Sequence, residues 1–365
     1  MPISAEKIVA NGYSIFHGSN AWSALSMFIE RASNTYSSIN ILLDENTEKQ
    51  CLPALYDNAP SLVNAALVRI PSGEANKNVG TLAEIWEALQ SNGSTRRSLL
   101  INLGGGLISD IGGFAASTFK RGIDFINIPT TLLGQADASI GGKTGIDLLA
   151  VKNQVGLIVN PVAVFVIPDF LRTLNHQQLK SGYAEILKYG LISDRELWKS
   201  AKDNASLLTE YSESNWTDII EKALVIKNTI VVEDPKEQGI RKVLNFGHTI
   251  GHALEAFSLQ NDSNPITHGE AVAIGMICEA YISTVVLGLD LEELNQISSV
   301  ILSIFEKYDL SKPNDSMLIE LMRHDKKNTS SNINFTLLNS IGSAVIDQYT
   351  ETKIISEALN FYRDL

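Results

Sequence analysis

The chain has 365 residues, 44% of them hydrophobic and 19% charged, with a formal net charge of −12. That apolar share excludes a disordered chain, and an acidic balance with no long basic run leaves no footprint for nucleic acid. Two cysteines, Cys51 and Cys278, form no CxxC pair, which excludes a disulfide framework and a zinc–thiolate site, and the length suits two domains.

The opening MPISAEKIVANGY has no basic segment followed by an apolar one, so no secretory signal is expected and the cytoplasm is the default location. SINILLD (38–44) reads as a strand ending on Asp44, and AALVRI (65–70) as another, followed by the polar turn PSGEANK. TLAEIWEALQSNG (81–93) predicts a helix opened by a capping box between Thr81 and Glu84 and closed on Gly93. SLLINL (98–103) runs through three glycines into a helix, LISDIGGFAASTF. IDFINIP (123–129) and VAVFVIP (162–168) are further buried strands. Strands alternating with helices imply an α/β fold with a largely parallel sheet.

From about residue 179 helical periodicity takes over, in QLKSGYAEILKYGLI, WTDIIEKALVIKNTIVVED and LEELNQISSVILSIFEKY; INFTLLNSIGSAVI is the one late strand signal. AVAIGMICEAYISTVVLGL (271–289) is apolar, but Glu279 near its middle and the preceding HGE mark a buried core helix, so no membrane partner is expected. The boundary falls in FLRTLNHQQ, giving domains over 1–178 and 179–365. A cleft between them would be the natural active site.

Three stretches carry chemistry. In LINLGGGLISD (100–110) the glycines suit either a tight strand–helix connection or a pyrophosphate held at a helix N-terminus. The acid that would hold a ribose, Asp44, precedes those glycines. PTTLLGQADASIGGKTG (129–145) is either a surface loop or a ligand loop. In NFGHTIGHALE, His248 and His252 share one helix face, as hydrogen-bonded core histidines or as metal ligands. His268, in HGEAVAIGM, and Glu185, with Lys188 three residues on, add two more donors to that second reading.

GGGLISDIGGFAASTFKRGIDFINIPTTLLGQADASIGGKTGID, SGYAEILKYG, GIRKVLNFGHTIGHALE, HGEAVAIGM and HDKKN, in this order and spacing, closely resemble the 3-dehydroquinate synthases, within the sugar-phosphate cyclases. The resemblance spans residues from about 65 to 345 and implies an N-terminal nucleotide-binding α/β domain and a C-terminal all-helical domain. It implies Glu185, His248 and His268 as ligands of one divalent metal, zinc or cobalt, with His252 facing substrate. It lays NAD along Asp44, Glu74, Lys77, Gly105, Gly106, Asp110, Thr130, Thr131, Lys143, Lys152 and Thr173. Catalytic and substrate contacts fall on Asp137, Lys143, Lys152, Asn153, Lys188, Lys227, Arg241, Asn245 and Lys327. Arg121 matches an arginine that reaches the phosphate from a neighbouring subunit, which implies a homodimer.

The implied reaction converts 3-deoxy-D-arabino-heptulosonate 7-phosphate to 3-dehydroquinate and phosphate, by transient NAD oxidation, phosphate elimination, re-reduction and aldol closure. Ser109, Asp147 and Val151 depart from the family's usual residues without removing a ligand. A sister cyclase acting on a substrate without the carboxylate is the nearest alternative. A metal-dependent alcohol dehydrogenase of the glycerol dehydrogenase type is the other. Lys227, Arg241 and Asn245, the implied carboxylate partners, are all present.

Overall fold

A computed structural model describes residues 7–148, 151–311, 314–323 and 332–365. The chain divides into two compact units. One comprises Met1–Asn175 and Tyr211–Val232, the other His176–Glu210 and Glu233–Leu365. The first is therefore discontinuous in sequence, because it recruits a helix from within the 179–365 span.

The strands of the first unit are β1 (Lys7–Val9), β2 (Ser14–His17), β3 (Ser38–Asp44), β4 (Ala66–Ile70), β5 (Ser98–Gly104), β6 (Asp124–Pro129), β7 (Lys143–Leu148), β8 (Val151–Ile158) and β9 (Ala163–Val166). Seven of them form one sheet in the order β1-β2-β9-β6-β5-β3-β4, parallel throughout except at β1–β2. β7 and β8 form a separate antiparallel hairpin. Helices α1 (Ala21–Thr35), α2 (Glu45–Gln50), α3 (Leu52–Asn58), α4 (Val79–Ser91) and α5 (Gly106–Thr118) connect the strands.

Both faces of the sheet are covered. Leu99, Ile101 and Leu103 of β5 join Ile41 and Leu43 in the core under α1, while Leu100 and Leu42 join the core beneath α4 and α5. With both faces buried, an alternating strand reads in sequence as one apolar run. Each fully buried Leu or Ile contributes about 1.5–3 kcal/mol of burial. The predicted start of α4 needs correction. The helix opens two residues early, at Val79, and its cap is Asn78, whose Oδ1 accepts from Gly80 and Thr81 N–H. An asparagine in extended backbone outcompetes Thr81 for the cap position.

In the second unit, α6 (His176–Ser193) and α7 (Arg195–Asp203) come first; α8 (Glu213–Glu233) then belongs almost wholly to the first unit. α9 (His248–Asn261), α10 (His268–Val286), α11 (Leu291–Ile304), α12 (Asp315–Arg323) and α13 (Thr352–Asp364) complete the helical unit. One hairpin, β10 (Ile333–Ser340) with β11 (Ser343–Thr350), interrupts it at the late strand signal. α10 is long and apolar enough to span a membrane, yet most of it is buried inside the unit.

α9 and α10 cross at glycines. A Cβ on Gly275 would fall 1.9 Å from the Gly247 carbonyl oxygen, and one on Gly251 would fall 3.0 Å from the Ala271 carbonyl oxygen. Only hydrogens in those places let the two backbones approach this closely.

Candidate active site

In the first unit the chain turns back on itself at β3: β4 lies on one side of it and β5 on the other. The C-terminal ends of β3 and β5 thus flank a topological switch point, where parallel α/β sheets hold their ligands. Asp44 ends β3 and Gly104 ends β5. Gly105 is the N-cap of α5 and offers no side-chain cap, so the first amides of a thirteen-residue helix lack an intrahelical acceptor. A Cβ on Gly105 would come 2.9 Å from Thr131 Cγ2. The glycines leave a cradle at a positive helix end, which is the chemistry of a phosphate site.

Thr130 is buried, its N–H donating to the Gly104 carbonyl, and Thr131 Oγ1 accepts from Gly134 N–H. Asp44 Oδ1 is committed to capping α2, accepting from Asn46 and Thr47 N–H. Thr173 Oγ1 donates to Phe170 O and lies 4.0 Å from the Cys51 thiol, whose pKa burial pushes up to about 11.

Across the same unit Lys77 gathers the polar candidates. Its buried Nζ donates to Asp110 Oδ2 at 2.5 Å and to Asn153 Oδ1 at 2.6 Å, with Glu74 Oε1 at 3.7 Å. Burial disfavours the Lys77 ammonium, but Asp110 and Glu74 outweigh it and hold its pKa above the ordinary lysine value. Burial also pushes the Asp110 carboxyl up; contact with an ammonium at 2.5 Å keeps the pair ionised. Lys152 lies 3.8 Å from Glu74.

On α8, Lys227 is nearly buried and donates to both the carbonyl (2.6 Å) and Oδ1 (2.7 Å) of Asp137, on the π-helical turn Gly134–Ala138. Lys143 and Arg121 are exposed, Lys143 at the start of β7 and Arg121 in a turn at φ 70°.

The histidines meet in the second unit. Glu185, on the buried stretch of α6, has no exposed surface; its Oε2 pairs with Lys188 Nζ, and its Oε1 faces His248 Nε2 at 3.5 Å and His268 Nε2 at 3.6 Å. Both histidines stand at helix starts: His248 is the first residue of α9, and His268 is the first of α10, inside the Thr267–Glu270 capping box. His252, one turn along α9, brings its ring within 5.1 Å of His248 and 5.8 Å of His268. One nitrogen of each of the three rings lies within 4.8 Å of the others.

Hydrogen bonds fix which ring nitrogens remain available. His248 Nδ1 contacts the Phe246 carbonyl at 3.1 Å and His268 Nδ1 contacts Glu255 Oε2 at 3.2 Å. A carbonyl and a carboxylate each demand a donor, so in neutral rings both Nε2 atoms carry lone pairs aimed at Glu185. Burial pushes the Glu185 carboxyl up, but Lys188 and His268 pull it down to about 2. Burial lowers the His268 pKa, yet Glu255 and Glu185 raise it to about 10 overall. Glu185 and Glu255 thus set two carboxylates against the histidine nitrogens, beside the Lys188 ammonium, which is the donor chemistry of a cation site.

Arg241 and Asn245 lie on the short helical turn Ile240–Asn245. Arg241 is buried, with Nη1 donating to Pro235 O, and Asn245 Nδ2 donates to Glu237 Oε1. Lys327 lies outside the described residues.

Residues 67–181 match the family model described as 3-dehydroquinate synthase N-terminal, and residues 182–328 match its C-terminal counterpart. A 3-dehydroquinate synthase of Parabacteroides distasonis is 45% identical over 333 residues, covering 91% of this chain and 93% of that one. The chain belongs to the 3-dehydroquinate synthase family. A member from Alkaliphilus metalliredigens is 38% identical, with 91% of each chain covered. Among solved structures, 2-deoxy-scyllo-inosose synthase complexed with carbaglucose-6-phosphate, NAD+ and Co2+ aligns with a TM-score of 0.87 at 24% identity, covering 98% and 99% of the two chains. The 2-epi-5-epi-valiolone synthase of Streptomyces hygroscopicus, with NAD+ and Zn2+ bound, gives 0.85 at 24% identity, covering 100% and 99%. Glycerol dehydrogenase of Schizosaccharomyces pombe gives 0.66 at 15%. These likenesses show a shared fold.

Three residues of this family member were not among the expected site residues. Asp147 Oδ1 accepts from the N–H of Asn153, which sits at φ 52°, and so presents the Asn153 amide to Lys77. Glu255 engages His268, and Glu279, buried in the middle of α10, accepts from Gly247 N–H at the start of α9. The signal for the last two was an acid on an otherwise apolar helical stretch, which burial alone does not favour.

Proposed function

We propose that this protein is a 3-dehydroquinate synthase, a phosphate lyase that converts 3-deoxy-D-arabino-heptulosonate 7-phosphate to 3-dehydroquinate and inorganic phosphate with NAD and one divalent metal. The observation that carries the reading is 45% identity to a 3-dehydroquinate synthase along nearly the full length of both chains. Sister cyclases with NAD+ and Co2+ or Zn2+ share the fold, and the donor chemistry here suits the same groups.

In the second unit, Glu185, His248 and His268 would hold the metal. Glu185 Oε1 lies 3.5 and 3.6 Å from the two imidazole Nε2 atoms, near the donor spacing of about 3.4 Å that a tetrahedral ion with bonds near 2.0–2.1 Å requires. Glu185 is the third donor in preference to His252 because its buried Oε1 faces both Nε2 atoms while Lys188 engages the other oxygen, whereas His252 is partly exposed. In the first unit, Asp44, the glycine turn at Gly105 and Gly106, Thr130, Thr131 and Thr173 would hold NAD, with Glu74, Lys77, Asp110, Lys143 and Lys152. When bound, the metal supplies Lewis acidity and NAD a reversible place for a hydride.

The chain's own residues bind, orient and move protons. His252, one turn from His248, would exchange a proton with substrate. Lys188, beside Glu185, places an ammonium where negative charge develops. Arg241 and Asn245 in the second unit suit a carboxylate, since a buried guanidinium offers paired N–H donors. Asp137, Lys143, Lys152, Asn153 and Lys227 in the first unit, with Lys327, would meet the substrate's other polar groups. Arg121, exposed on a strained turn, would reach the phosphate of a partner subunit in a homodimer, and the cytoplasm is the location we assign.

The test is phosphate release from the heptulosonate phosphate with zinc and substoichiometric NAD, while absorbance follows NADH. Many phosphates per NAD without NADH accumulating is the expected result. NADH rising one-for-one with substrate, or phosphate released only from glucose 6-phosphate or sedoheptulose 7-phosphate, would overturn the proposal.

A further inference from the structure

Glu279 is fully buried in α10, in the middle of the apolar span. Its two oxygens take separate backbone donors: Gly247 N–H donates to Oε2 at 2.6 Å and Ile250 N–H to Oε1 at 3.1 Å. These two amides bracket His248. The N-cap of α9 is Gly247, at φ 79°, and has no side chain with which to cap the helix. Nor does the crossing leave room for one, because a Cβ there would come 2.6 Å from Met276 Cγ. Glu279 supplies from the neighbouring helix the cap that this glycine cannot.

Burying a carboxylate is costly. Here the positive end of α9 and two charge-assisted hydrogen bonds offset that cost. An apolar side chain would fill the space without incurring it, so the carboxylate's effect is sought in what it holds. What it holds is the turn that orients His248. In that turn the Phe246 carbonyl takes His248 Nδ1, which leaves Nε2 toward Glu185.

We infer that Glu279 is a positioning residue of the metal centre: its carboxylate fixes the first turn of α9 so that His248 presents Nε2 to Glu185 and His268 before any metal arrives. The inference rests on the metal-centre reading above. An outer-shell partner of this kind acts on affinity and ligand geometry without touching the ion.

Co2+ titration of the metal-free protein, followed by its d–d absorption, tests both readings. The parent is compared with Glu279→Gln and Ser283→Ala. Glutamine keeps the shape but offers one acceptor oxygen where two donors converge. Ser283 lies one turn on; its hydroxyl donates to the Glu279 carbonyl and accepts from Leu338 N–H, so its loss loosens α10 and spares the carboxylate.

Glu279→Gln is expected to weaken Co2+ binding roughly 10- to 100-fold and to change the absorption band. Ser283→Ala is expected to leave both unchanged even if its Tm falls. Parental affinity and spectrum in Glu279→Gln would overturn the inference, as would losses in both variants that simply track Tm. A parent that takes up no Co2+ would overturn the metal-centre reading itself. Should Glu279→Gln not fold, hydrogen exchange in the metal-free parent decides: protected Gly247 and Ile250 amides are expected. Amides protected only after metal loading would refute the prearranged turn.

Discussion

His252 and His268 bring their rings within 5.8 Å of each other, yet they are expected to respond differently to removal. His268→Ala removes a lone pair that Glu255 orients toward Glu185, and should lower metal affinity by more than the roughly 10- to 100-fold that loss of an outer-shell partner costs. His252→Asn should keep the metal and lower turnover by about 10²- to 10⁴-fold, the usual worth of a positioned proton donor. Zinc content after dialysis, read beside phosphate release, separates the two. A His252→Asn protein that loses zinc as His268→Ala does would place His252 among the ligands. At this scale the sequence shows the residue types and their turn-by-turn spacing. It does not show that Glu255 on α9 reaches His268, thirteen residues on at the start of α10, because that contact depends on how α10 crosses α9.

That crossing makes a prediction about elements. Gly275→Ala would drive a methyl group to within 1.9 Å of the Gly247 carbonyl, so α9 and α10 must separate. The expected cost is about 1–3 kcal/mol in urea unfolding of the metal-free protein, with weakened metal binding, because His248 and His268 begin those two helices. Unchanged stability would show that the helices tolerate the separation. Nothing in the sequence distinguishes Gly275, which sets a helix crossing, from Gly73, which would meet nothing within 4 Å if given a Cβ. The parallel strands were legible because burial on both faces makes each an unbroken apolar run. The β7–β8 hairpin was not: β7 buries Thr144, Gly145 and Ile146 in succession, while the apolar Val155, Leu157 and Ile158 of β8 are exposed, so burial and apolarity do not alternate together along either strand. The start of α4 was misread because two capping signals, Asn78 and Thr81, lie three residues apart, and only the backbone conformation of Asn78 decides between them.

For the molecule as a whole, a metal that binds only the folded state adds to stability by mass action, about 2.7 kcal/mol when free metal is 100 times its Kd. Chelation should therefore lower the thermal midpoint, and zinc or cobalt should restore it. A midpoint indifferent to chelator would mean that the histidine cluster holds no ion. NAD should raise the midpoint by the same mass action, with saturation reporting its own affinity.

The first unit has a further consequence, for synthesis. Its sheet is complete at residue 175, but Lys227, which donates to Asp137 from α8, lies in a segment that ends only at residue 232. At about 5–20 residues per second, a ribosome needs roughly 3–11 s to cross that interval. α6 and α7 of the other unit are translated during this pause. The growing chain must therefore leave the first unit unfinished, with Asp137 still waiting for its lysine, while it starts the second.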